Sequence, residues 1–352
     1  LLHPMDIEDI RRRYKIARKM PPKLVAGIVS RRRPFILSEI EDVESTTGVK
    51  AKGWFVAVPF LPNQFFELKE KYVIDKIVKA TEVAREAGAK IVGLGAFTAL
   101  VGNSGREIAR KARLPITTGN TYTVATAIEG AKKAAEIMEV DMGSSIVAVV
   151  GATGSIGSAC SEMLSADAGE LRLVGRDPKK LAALEERLKP LAGKISSHTD
   201  ISAIREADIV ISVTGAVGAV IKASDIKPGA VVCDVARPRD VAEMVAKSRK
   251  DVLVIDGGVV QVPGDVDFHL DFGLPNGMAL ACMAETMILA LERRYECYTL
   301  GKEITVEKIR EMQDMAKKHG FELAALRSFE RALSEEEIEL VKANAKKQRA
   351  LA

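Results

Sequence analysis

Between Ile146 and Asp256, short apolar runs alternate with charged, alanine-bearing stretches. The runs at 146–150, 171–175, 209–213, 230–235 and 252–256 have strand length. The stretches at 155–164, 178–188, 202–206 and 240–250 carry helix-like composition. Strand and helix in regular alternation predict a parallel sheet with right-handed crossovers. The first third of the chain mixes the two periodicities. Residues 7–20 read as one basic amphipathic helix, stopped by Pro21-Pro22 because proline cannot continue the hydrogen-bond ladder. Strands are expected at 54–60, 90–94 and 115–118, and a helix at 72–87 closed by Gly88. Gly119-Asn120 is a turn signal, and helical spacing of apolar residues runs from Thr121 to Met138. The last third predicts helices at 276–294 and at 305–319, the second with Thr305 as N-cap and Gly320 as stop. A terminal helix opens at Ser334-Glu335-Glu336-Glu337, which has capping-box spacing, and ends in a basic tail expected to be solvated.

Composition narrows the function classes. The chain has 352 residues, 47% apolar and 28% charged, which is ordinary globular usage and suggests two domains. Lys plus Arg number 52 against 48 Asp plus Glu, a balance that argues against a nucleic acid held by bulk charge. Cys160, Cys233, Cys282 and Cys297 are scattered without CxxC spacing, and the four histidines do not cluster. Neither a disulfide framework nor a common metal site is expected, and the compartment reads as cytoplasmic. No signal peptide and no apolar run of about 18 residues stands out, so no transmembrane segment is expected. The greasiest stretch, 278–291, is interrupted by Glu285. The opening Leu1-Leu2-His3-Pro4 has no Met and reads as the end of a strand that starts upstream.

The strand at 146–150 runs straight into Gly151-Ala152-Thr153-Gly154-Ser155-Ile156-Gly157. Between a strand and a helix, such a loop makes the tight turn, lets the backbone approach a pyrophosphate and permits close helix packing. Gly151, Thr153, Gly154, Ser155, Ile156 and Gly157 are therefore the expected dinucleotide contacts. The second strand ends at Gly175-Arg176-Asp177-Pro178-Lys179-Lys180. Arg176 and Lys180 suit a 2′-phosphate and so favour NADPH. Asp177 is either a ribose ligand, as an NAD enzyme would require, or the cap of the next helix. Thr214 and Gly215, at the end of the fourth strand, are expected near the nicotinamide. The reading is an α/β chain. It comprises an N-terminal α/β substrate domain (1–122), a long connecting helix (123–140), an NADP-binding Rossmann-type parallel-sheet domain (141–260) and a returning C-terminal helical segment (261–352).

Cys282 lies about one turn into the predicted helix at 276–294, where the macrodipole favours a thiolate, and Glu285 shares its face. On these grounds alone a buried, inert cysteine is the more ordinary reading.

Several motifs coincide with one family. They are Leu94-Gly-Ala-Phe-Thr-Ala, Thr117-Thr-Gly-Asn-Thr-Tyr-Thr, the glycine loop, Asp256-Gly-Gly-Val-Val, Ala281-Cys-Met-Ala-Glu285, and Ile304-Thr-Val-Glu-Lys continuing to His319-Gly-Phe. In this order, from about residue 60 to 325, the chain resembles the long-chain acyl-[acyl-carrier-protein] reductases of cyanobacteria, which form fatty aldehydes. The resemblance implies that Cys282 takes the acyl group from a carrier thioester, and that NADPH reduces the enzyme thioester. It assigns Glu285 either to orienting or deprotonating the thiol or to a structural role. Phe97, Thr98, Thr118 and Asn120 would face the substrate and polarise its carbonyl. The implied partners are a fatty acyl thioester on acyl carrier protein or coenzyme A, an aldehyde-consuming enzyme and a second copy of the chain. The basic runs at 11–13 and 31–33 are either a solvated face, the usual reading of such runs, or a face offered to an acidic carrier. The segment between Val260 and Cys282 and the stretch after about residue 326 depart from the cyanobacterial pattern. The alternatives are a shikimate dehydrogenase-like alcohol or amino-acid dehydrogenase without a covalent step, and a dinucleotide-binding sensor without turnover.

Overall fold

Pro22 begins a helix instead of ending one. In the computed structural model, which describes residues 1–216, 218–302, 304–329 and 331–350, the expected helix at 7–20 is two elements. The helix Ile7–Arg13 has a capping box made by Asp6 and Asp9, and the chain turns extended at Tyr14. A short 3-10 turn, Lys15–Lys19, follows, and Pro22–Arg31 is a second helix with proline at its start, where the missing N–H costs nothing.

Two units make up the chain. The first comprises Leu1–Gly119, Gln261–Gly301 and Asp314–Glu322. The second comprises Asn120–Val260, Lys302–Gln313 and Leu323–Ala352. The C-terminal stretch is thus shared between them.

In the first unit, β1 (Phe35–Glu44) and β2 (Lys50–Ala57) form an antiparallel hairpin with register shifts between Ile36 and Ser38 and between Ile40 and Val43. The helix Glu70–Glu86 packs its Val73, Ile77, Ala80 and Ala84 face onto a core with Val56, Val58, Phe60 and Phe97. β3 (Val92–Gly93) and β4 (Ile116–Thr117) pair in parallel beside that core. The helix Ala281–Leu291 packs on β2 and β3. It starts later than the sequence pattern suggests, because Met278–Leu280 is extended.

In the second unit, six strands lie parallel: β5 (Ile146–Val150), β6 (Glu170–Val174), β7 (Ile195–His198), β8 (Ile209–Ser212), β9 (Val231–Asp234) and β10 (Leu253–Asp256). Their order is β10-β9-β8-β5-β6-β7, the doubly wound arrangement of a Rossmann-type sheet. β7 is the strand that the apolar pattern does not predict. Both faces of the central strands are covered, so Val147, Val149, Leu171, Leu173, Ile209 and Ile211 are wholly buried. The helix Asn120–Ile137 lies on β8 and β9 and against the helix Ser155–Leu164. It is a layer of this unit, buried along most of its length. The terminal helix Glu335–Arg349 has the capping box of Ser334 and Glu337. Its basic end is only partly solvated. Arg349 donates to Gly229 O at 2.6 Å, and Lys342 and Lys346 each sit 2.9 Å from Glu139. The two lysines hold the Glu139 carboxyl down at about 2.

Candidate active site

β5 lies where the strand order reverses, the position at which open parallel sheets bind ligands. Gly151 N and Ala152 N both donate to Val174 O of β6, at 2.8 and 3.1 Å, which fixes the loop to the sheet. A Cβ built on Gly157 would lie 2.8 Å from Gly151 C and 2.9 Å from Ala152 Cα, so only glycine lets the helix start this close to the loop. That helix begins at Gly154 with no side-chain cap, and Gly154 is exposed while Thr153, Ser155 and Ile156 are half-buried. The cradle is therefore backbone, at the positive end of a helix, and it fits the pyrophosphate of a dinucleotide.

Asp177 is committed to capping. Its side chain accepts from Lys179 N and Lys180 N at 3.1 and 3.2 Å and lies 3.3 Å from Lys180 Nζ. These bonds, that from Lys180 N foremost, hold its carboxyl below the usual range. Arg176 is exposed at the end of β6, with no protein partner among the described residues. Gly215 is also exposed.

Thr214 is held by a residue the sequence reading missed. Asp240, wholly buried, accepts from Ser212 Oγ at 2.6 Å, from Thr214 N at 2.8 Å and from Thr214 Oγ1. Asp234, at the end of β9, accepts from Ala236 N and Val241 N at 3.1 and 3.0 Å. Burial pushes its carboxyl up to about 6. Asp256 pairs with Arg239. Three buried carboxylates thus brace the ends of β8, β9 and β10. Asp234 and Asp256 each sit at or near the end of an apolar run, the signal that could have found them, whereas Asp240 follows Arg237-Pro238-Arg239 in a loop and has no such signal.

The cysteines separate by environment. Cys160 and Cys233 are fully buried, and burial pushes the Cys160 thiol up to about 12 and the Cys233 thiol further still. Cys297 is exposed, with its sulfur 3.4 Å from Ile116 N. Cys282 is half-buried at the second position of the helix Ala281–Leu291, nearer the helix start than the sequence spacing predicts. There the dipole favours a thiolate.

Gly119, with φ of 75°, lies flush on that helix start; a Cβ there would fall 2.5 Å from Cys282 Cβ. The loop is held in place by Glu285, which is wholly buried. Glu285 accepts hydrogen bonds from Thr117 Oγ1 and, at 2.8 Å, from Thr299 Oγ1. Thr118 N donates to Thr299 O at 3.0 Å, so this amide is already engaged. The Thr118 hydroxyl is buried and has no hydrogen-bond partner among the described residues. Asn120 Nδ2 reaches Ser155 Oγ at 3.4 Å, on the glycine-loop helix. Phe97 and Thr98 lie elsewhere. Phe97 packs between His3, Phe65 and Phe66, with ring centroids 5.4–6.1 Å apart. The wholly buried Thr98 spends its hydroxyl on Gly95 O at 2.7 Å. Both are core residues, because the turn that carries them folds inward onto the aromatic cluster.

A cavity of about 320 Å³ opens beside Cys282. Met283, Thr286, Met287 and Ala290 form one wall and Trp54, Phe55 and Val56 another, so most of its lining is apolar. Among the described residues no cluster of His, Cys, Asp and Glu could hold a metal ion, and no helix is long and apolar enough to cross a membrane.

The family model of shikimate / quinate 5-dehydrogenase matches residues 132–257. The long-chain acyl-[acyl-carrier-protein] reductase of Synechococcus elongatus is 31% identical over 83% of this chain and 88% of its own length. The aminotransferase PigE of a Serratia species is also 31% identical, over 82% of this chain. The chain spans only 34% of that protein's length. Among solved structures, glutamyl-tRNA reductase from Methanopyrus kandleri is 17% identical over 79% of this chain and 56% of its own, with a TM-score of 0.32.

Proposed function

The chain belongs to the family of the long-chain acyl-[acyl-carrier-protein] reductases, and on that premise we propose that it reduces a fatty acyl thioester to a fatty aldehyde. It is an oxidoreductase whose cofactor is a nicotinamide dinucleotide. The exposed Arg176 beside the capping Asp177 favours NADPH, because the carboxylate that would hold an unphosphorylated ribose is already occupied. The acyl group arrives on acyl carrier protein or coenzyme A, and the product calls for an enzyme that consumes aldehydes.

The observation that carries this reading is the largely apolar cavity beside a half-buried cysteine at a helix N-terminus. An apolar cavity suits an alkyl chain, and the dipole suits the thiolate that attacks its carbonyl. Cys282 Sγ forms a bond to the acyl carbon, and the carrier sulfur leaves and takes a proton. When bound, NADPH supplies a hydride. Breakage of the bond between the reduced acyl carbon and Cys282 Sγ would then free the aldehyde and restore the thiolate. The role of Gly119 is to leave room at the nucleophile, and Glu285 positions the loop through Thr117 and Thr299. Thr118 offers its unpartnered hydroxyl to the carbonyl oxygen, and Asn120 tends the glycine loop. The match to shikimate / quinate 5-dehydrogenase ends at residue 257, before Cys282, and bears on the cofactor unit alone.

The test is a single turnover with palmitoyl-coenzyme A without reductant, read by intact mass. A palmitoyl adduct lost in Cys282→Ala is expected, together with aldehyde release on adding NADPH. Undiminished aldehyde formation by Cys282→Ala would overturn the covalent route.

A further inference from the structure

Charge is segregated along this chain. Between Ile10 and Ser38 there are ten Lys and Arg residues and no Asp or Glu, although the whole chain carries only +4. Five of the ten have partners within the fold. Arg11 and Arg12 pair with Glu8 and Asp9 at 2.7 and 2.6 Å. Arg18 and Arg31 donate to the carbonyls of Arg11 and Gly27. Arg32 lies over the rings of Tyr14 and Phe35. The other five, Arg13, Lys15, Lys19, Lys23 and Arg33, are exposed and have no intramolecular partner among the described residues.

The same surface carries large apolar side chains in water. Ile16 is 75% exposed, in the 3-10 turn among Lys15, Arg18 and Lys19. On the helix Pro22–Arg31, Leu24 and Ile28 are 51% and 45% exposed. They are four residues apart and so share one face with Arg31, while the neighbouring Val25 is buried. An apolar groove of about 220 Å³, lined by Ile10, Ala17, Met20, Val29, Phe35 and Pro59, opens among them.

We infer that this N-terminal surface, residues 11–33, docks the protein peripherally on an anionic lipid bilayer. The unpaired cations meet lipid phosphates, and Ile16, Leu24 and Ile28 enter the headgroup boundary. Protruding apolar side chains ringed by cations gain from a surface that is anionic outside and apolar beneath. A bilayer also needs no fixed pattern of opposing carboxylates, which suits cations spread over two short helices and a turn. This inference does not rest on the proposed reduction, since it concerns neither Cys282 nor the dinucleotide loop.

Sedimentation of the full chain with phosphatidylcholine vesicles, with and without phosphatidylglycerol, tests it in the absence of any acyl substrate. Binding is expected only with phosphatidylglycerol and should weaken as salt is raised. Replacing Arg13, Lys15 and Lys19 together by Gln should weaken it about tenfold or more. Ile16→Ser should weaken binding too with the charge cluster kept, and circular dichroism would check that both variants fold. Failure of the wild type to bind anionic vesicles overturns the inference. So does unchanged vesicle binding by both variants when they lose affinity for an acidic carrier protein, which would assign the surface to a protein partner.

Discussion

A side chain on Gly119 would set its Cβ 2.5 Å from the Cβ of Cys282, and closer still to the Cα and carbonyl oxygen of that residue. The loop and the helix that carries Cys282 are therefore in contact through backbone. Gly119→Ala carries two costs, a left-handed φ of 75° and this collision. Gly48 separates them, because its φ is 79° and nothing lies within 4 Å of a Cβ built there. Gly48→Ala should cost about 1–2 kcal/mol, the conformational penalty alone. Gly119→Ala should cost clearly more in a thermal or denaturant melt and abolish acyl transfer to Cys282. Equal costs at the two positions would show that the contact is slack.

Glu285 has two threonine hydroxyls as donors and no exposed surface. Glu285→Gln keeps the shape but weakens the one oxygen that both threonine hydroxyls share as acceptor, so a loss of roughly 1 kcal/mol in stability is expected. Turnover should fall with it, while the pH profile for alkylation of Cys282 stays in place. A shifted alkylation profile without a change in stability would instead make Glu285 the base that takes the thiol proton.

Cofactor choice should depend unequally on the two cations after β6. Arg176 is exposed and unpaired, whereas Lys180 Nζ is 3.3 Å from Asp177. Arg176→Ala should raise the dissociation constant for NADPH about 10- to 100-fold and leave that for NADH nearly unchanged. Lys180→Ala should do less. Fluorescence titration of both nucleotides checks the order, and equal loss of NADH and NADPH affinity would refute it.

Acid titration should single out Asp234. Burial raises its carboxyl from 3.8 to about 6 in the folded protein. Between those values the folded state holds more protons than the unfolded chain, so stability falls as pH rises. The contribution is full below the unfolded value and lost above the folded one. The stability advantage of the wild type over Asp234→Asn should therefore shrink by up to roughly 3 kcal/mol across that window. Denaturant melts on either side of it measure the change, and a constant difference would show that the carboxyl does not titrate there.

What could be read from the residues follows from how local each signal is. β5 and the helices Ser155–Leu164 and Pro178–Leu188 fall on their expected bounds. Buried central strands are unbroken apolar runs, and Asp177 and Pro178 mark a helix start with their own chemistry. β7 escapes because it is an edge strand, half-buried throughout, with the sequence Ile-Ser-Ser-His. β1 escapes because two register shifts break the alternation that would reveal it. The glycine loop and Cys282 are legible as strings. What fixes Cys282 is not, since Glu285 meets Thr117 across 168 residues of sequence, and no spacing rule reaches that far. Phe97 and Thr98 mislead for a related reason. They sit in a loop by sequence, but their side chains turn into the core.

The burial of two thiols has a practical meaning. With Cys160 and Cys233 sealed away and held protonated, electrophiles in water can meet only Cys282 and Cys297. Replacing Cys297 would leave a chain with one addressable sulfur, at the position proposed to carry the acyl group. A dye or spin label attached there would report directly from the mouth of the cavity, and its response to added fatty thioesters would map the chain lengths that the cavity admits.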